Sequence, residues 1–111
     1  MASPASTILT IHEALCARDG SGGVQRGRNL TRAEAISHRQ GGGDVVVCGP
    51  DPFANAREAH AIESALGPCI PDGPHLDVAG ALALPHFQQR VAPPEGHTFY
   101  ETPVRKAIPT P

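Results

Sequence analysis

The chain has 111 residues, a formal charge of −2, 12 Gly and 12 Pro, three Phe, one Tyr and no Trp. That length confines it to one modest core, and so few rings leave the core to be built from Ala, Val, Leu and Ile. The charge balance argues against a broadly basic nucleic-acid surface. The basic stretch between residues 18 and 39 (Arg18, Arg26, Arg28, Arg32 and Arg39 against Asp19 and Glu34) reads as solvated.

In chain order, residues 1–6 are small and polar, and are expected as a loose end. Ile8, Ile11 and Leu15 stand at helical spacing before Gly20, which predicts a first helix over 7–20, or from Thr10 if the Thr10/Glu13 pair caps it. The run DGSGGVQRGRN reads as a flexible loop. Thr31 and Glu34 form a capping box that opens a second helix, which Gly41 to Gly43 stop. Val45, Val46 and Val47 predict a strand covered on both faces. Asp51 and Pro52 are a good N-cap and first-turn residue for a third helix. Its apolar positions are Phe53, Ala56, Ala59, Ile62 and Leu66, and Gly67 and Pro68 end it.

From Cys69 onward Pro and Gly recur. Residues 69–80 are expected as loop, and 81–87 as a short strand interrupted at Pro85. Residues 88–96 read as a second loop, 97–102 as a strand, and 104–111 as a tail. The expected fold is α+β. Two or three short helices pack on one face of a small sheet containing 44–48 and 97–101, in a single domain with a loop-rich C-terminal third.

Three cysteines (Cys16, Cys48, Cys69) with no C-x-x-C spacing suit neither a disulfide framework nor a cysteine zinc site. They read as small buried hydrophobes in a reducing compartment, with one bridge between a pair still open. No stretch approaches the ~18 apolar residues of a membrane span, and MASPASTILTI has no basic start, so no signal peptide is expected.

The chemistry concentrates in His75, His86 and His97, which lie in loop-rich sequence beside Phe87, Phe99 and Tyr100. Two imidazoles either side of a phosphodiester can act as general base and general acid, with Arg90, Arg105 or Lys106 as the cation for the phosphate. The same residues have a plain structural reading, in which the rings complete a thin core and each histidine bonds a nearby carbonyl. A His/Asp metal shell from His75 and Asp77 with His86 or His97 is a further alternative. Asp51 opposes phosphate at the turn before the third helix, and Cys48 lacks a nucleophile elbow. His12, His38 and His60 read as flanking polar residues.

The order DVVVCGPDPFANAREAHAIESALGP, a Pro-Gly loop with PH, LPHFQ, then GHTFYE resembles the small C-terminal toxin modules of bacterial polymorphic toxin systems. That resemblance implies a metal-independent ribonuclease without cofactor. His86 and His97 would be its acid and base in either order, with Glu101 orienting a ring and Arg105 steadying the phosphate. Arg90, His75 and Tyr100 would contact RNA. It also implies a cognate immunity protein as partner, and a cytoplasmic site of action or delivery within a toxin system. A non-catalytic partner-binding protein, using the Ala-rich third helix, is the other function class.

Overall fold

The computed structural model describes residues 8–15, 23–76 and 80–109. It is an α+β fold: a six-stranded mixed sheet and two helices. The elements are β1 (Thr10–Leu15), β2 (Gln25–Leu30), α1 (Arg32–Gln40), β3 (Val45–Cys48), α2 (Pro52–Ser64), β4 (Cys69–Asp72), β5 (His86–Gln89) and β6 (Thr98–Tyr100). The strand order is β2-β1-β3-β6-β5-β4. Every pairing is antiparallel except β3 with β6, which sets Val46 opposite Phe99.

Both helices lie on one face. Ala35 of α1 and Ala59 and Ile62 of α2 close over Ile11, Leu30, Val45 and Val47. On the other face Ala14, Val46, Cys48 and Phe99 are covered by Val24, Leu84 and Ala107. Successive β-strand side chains point to opposite faces, so a run of valines serves both layers, and every residue of β3 is buried. The capping box of α1 forms as read, with the Thr31 and Glu34 side chains each bonded to the other's backbone N–H. Asp51 caps α2 by accepting from the N–H groups of Phe53 and Ala54. The segment 104–109 carries the buried Ala107, and Ile108 bridges to Gln25.

Four expectations are corrected. The helix expected over 7–20 is strand β1 where it is described. Ile11 and Ala14, three apart, face opposite layers of the sheet, while Ile8 and Leu15 are exposed. Pairing on both sides overrides the helical spacing. Residues 25–29 of the expected loop DGSGGVQRGRN belong to edge strand β2, and residues 69–72, expected as loop, form edge strand β4. An edge strand needs little apolar sequence, and a proline such as Pro71 is tolerated there because one side of the strand needs no donors. Phe53 does not join the core; it protrudes from the first turn of α2. Among the described residues no helix is long and apolar enough to cross a membrane.

A polar device lies inside the helix layer. Arg39 and Glu63 are both fully buried and paired twice over, Nε to Oε1 and one terminal nitrogen to Oε2, each at 2.8 Å. Gln89 donates to Glu63 Oε2 at 2.7 Å and Thr98 to Oε1 at 2.7 Å. The other arm of Arg39 donates to the carbonyls of Gly43 and Glu95. One ion pair thus ties α1, α2, β5, β6 and the turn before β6 together. Burial works against the Glu63 charge, but its bonds with Arg39, Gln89 and Thr98 outweigh it and hold the carboxyl below the usual carboxylate range.

Candidate functional site

His86 opens β5, and its ring points to the face away from the helices, against Phe99 at 5.1 Å between centroids. His97 lies two residues before Phe99 and shares its face, by the period of a strand. The His86 and His97 rings meet edge-on with centroids 4.6 Å apart. His75, from the turn after β4, closes the other side at 5.2 Å from His86. Antiparallel pairing sets Asp72 opposite His86. Gly73 has φ +73° and lies against the His86 ring, and a β-carbon there would come within 3.2 Å of Nδ1. That close approach favours glycine.

Two aspartates address this row of rings. Asp44, buried just before β3, accepts from the His97 backbone N–H at 2.8 Å, and its Oδ1 lies 3.2 Å from His97 Nδ1. With the proton on Nδ1, the contact leaves Nε2 of His97 as the basic nitrogen. Gly96, φ +101°, lets the chain pass here, since a side chain would collide with Asp44 Oδ1 and the Arg39 guanidinium. Asp72 Oδ2 lies 3.3 Å from His75 Nε2 and 3.9 Å from His86 Nε2. The Gly73 N–H holds the Asp72 carboxyl below its usual range, aided by the two histidines.

Access differs among the rings. The side chain of His75 is 51% exposed and that of His97 32%, but that of His86 only 1%. Burial, and then the neighbouring His97, push the His86 pKa down, while Gln88 and the Leu84 carbonyl pull the other way. His86 Nε2 lies 3.1 Å from Gln88 Oε1. Its Nδ1 is buried without a well-formed hydrogen bond. His97 also lines a cavity of about 140 Å³ with Gln88, Gln89, Ala92, Pro94, Glu95 and Gly96.

Of the residues expected at the site, His75, His86 and His97 come together, and the others stand elsewhere. Glu101 shares the face of His97 but lies four residues along the strand, about 13 Å at β rise, with Phe99 between. Its carboxylate accepts from the N–H groups of Gly49 and Ala107, so it orients no imidazole. Arg105 is committed to the carbonyls of Gly80 and Ala83. Tyr100 faces the helix layer, stacked on Phe87 at 5.7 Å. Arg90 is exposed just past β5, where its N–H bonds the Pro68 carbonyl. Asp77 lies outside the described residues. His12 bonds Thr10 and Gly27 within the β1–β2 pair, and His60 packs edge-on to Phe87. Sequence reasoning does not reach Asp44, Asp72 or Gln88. The two-residue step from His86 to Gln88 is a signal available in sequence, but the other two depend on strand pairing.

A second cavity, about 420 Å³, opens at the C-terminal ends of β3 and β6, among Leu9, Arg26, Cys48, Glu101 and Lys106. Burial first, and then the Glu101 charge, push the Cys48 thiol up to about 12, so it is no nucleophile near neutrality. Comparison of the chain with protein-family models, with curated proteins and with solved structures gives no match.

Proposed function

We propose that the chain is a metal-independent, ribonuclease-like toxin domain whose reacting groups are His97 and His75, with His86 buried between them as a positioning residue. The observation that supports this reading most is the row of three imidazoles on one sheet face: two outer rings reach solvent and the middle one does not. This departs from the pairing expected from sequence, because a ring as buried as His86 cannot touch a phosphodiester. Asp44 takes the orienting role expected of Glu101.

In the proposed reaction His97 Nε2 removes the proton of a ribose 2′-hydroxyl as that oxygen attacks phosphorus. His75, in its protonated form and beside the Asp72 carboxylate, gives its proton to the departing 5′-oxygen. The products are a 2′,3′-cyclic phosphate and a 5′-hydroxyl, with no atom or electron unaccounted for. The same reading implies RNA as substrate and an immunity protein as the natural inhibitor.

The test is cleavage of a fluorogenic RNA oligonucleotide, with its all-DNA counterpart as control, in excess EDTA. His97→Ala and His75→Ala should each lower the rate by ~10²–10⁴-fold while circular dichroism stays unchanged, and the DNA should remain intact. Wild-type rates in both variants, or no cleavage by the parent chain, would end the proposal.

A further inference from the structure

We propose that Asp72, His75 and His86 form a binding site for a divalent transition-metal ion of the zinc class, with Gln88 Oε1 beside them as an oxygen donor. One potential ligand atom from each of the three residues lies within 4.8 Å of the others. Around a zinc ion bonded at 2.0–2.2 Å, tetrahedral ligand atoms stand about 3.4 Å apart. The separations here already bracket that value: His75 Nε2 to Asp72 Oδ2 is 3.3 Å, His86 Nε2 to Gln88 Oε1 is 3.1 Å, and His86 Nε2 to Asp72 Oδ2 is 3.9 Å. Two imidazoles and a carboxylate are the ligand types zinc selects.

A second observation points the same way. His86 is buried, and its Nδ1 is an orphan against the Gly73 backbone, inside the turn that carries Asp72 and His75. A metal-ligating imidazole commonly donates its other ring N–H to a backbone carbonyl, and the Leu84 carbonyl lies beside this ring. Among the described residues, His97 is not part of this group of mutually close ligand atoms.

Binding does not depend on the ribonuclease reading; only its consequence rests on it. An ion at this site takes the lone pair of His75 and so stops the proton transfer assigned to that ring. The metal is then an inhibitor of the site rather than its cofactor.

The experiment uses the full chain without an affinity tag, stripped with EDTA and dialysed. Co²⁺ is followed by visible absorption and Zn²⁺ by titration calorimetry. One ion per chain with micromolar or tighter affinity is expected. Asp72→Asn and His75→Ala, both at exposed positions, should each weaken binding by at least ~10-fold. No saturable binding, unchanged affinity in both variants, or a cobalt–thiolate charge-transfer band that marks cysteine ligation would each overturn the proposal. Zinc should also halt RNA cleavage at the concentration that fills the site, and cleavage undiminished at saturation would overturn the inhibitory role. A chain that binds zinc yet never cleaves RNA loses the ribonuclease reading and keeps the metal site. A chain that cleaves RNA and binds no ion keeps the ribonuclease reading and loses the metal site.

Discussion

Arg39→Met tests the buried ion pair directly. It removes the guanidinium and leaves Glu63 as an uncompensated charge in a site with no solvent exposure. Removing one partner of such a pair costs about 3–5 kcal/mol. The Gly43 and Glu95 carbonyls also lose their donor, so the upper half of that range is expected. With an m-value of about 1.5 kcal/mol per molar urea for a chain this size, the midpoint should fall by about 3 M. The double variant Arg39→Met, Glu63→Leu removes the lone charge and should recover part of the loss. It should not recover all of it, because the Thr98 hydroxyl and the Gln89 amide then lack their acceptor. The pH response should reverse sign. In the parent chain the folded Glu63 carboxyl is held below its ordinary value of about 4.3. Its contribution is complete above that value and disappears as pH falls through the lower, folded value. In Arg39→Met the lone buried carboxyl rises above the ordinary range, so that variant should gain stability as pH falls from 7 towards 5. Urea melts followed by circular dichroism at pH 7, 5 and 3.5 supply every quantity. A loss under about 1 kcal/mol for the single variant, or the same pH trend in both chains, refutes the reasoning.

Three further expectations concern other parts of the molecule. Glu101→Ala withdraws a carboxylate that accepts two backbone N–H groups and should cost about 2–4 kcal/mol; RNA cleavage measured well below the new melting point should be unaffected. Asp44→Asn keeps an acceptor for the His97 backbone but removes the charge behind its ring, and should slow cleavage about 10–100-fold at nearly unchanged melting temperature. Equal rates would show that Asp44 serves only the backbone. In a Cys16→Ser, Cys69→Ser background, iodoacetamide at pH 8 should react with native Cys48 about three orders of magnitude more slowly than with the urea-unfolded chain, as a thiol shifted to about 12 requires.

Much of the architecture could be read locally. The two helices carry their own start signals, Thr31 with Glu34 and Asp51 with Pro52, and the valine run announces the central strand. What escaped has a common cause. Strands β2 and β4 hold polar and proline residues because a sheet edge tolerates them, so their strand character lies in the partner rather than in the segment. Strand β1 shows helical spacing because residues three apart fill two different layers. The histidines were legible as a group, but their environment was not. Asp44 reaches His97 only because β3 and β6 run parallel, and that pairing joins positions 53 residues apart. Glu101, close to His97 in sequence, is carried away by the extended backbone between them.

The parallel pairing of β3 with β6 has one more consequence. It spans three residue pairs, and among the described residues it is the only strand-level join between the β2-β1-β3 half of the sheet and the β6-β5-β4 half. The imidazole row belongs to the second half, whereas the carboxylate steering its outermost ring belongs to the first. Sliding at that seam would therefore alter the Asp44–His97 contact. The ring's NMR resonances would register slippage in the middle of the sheet before any strand is lost, so this small molecule carries its own strain gauge.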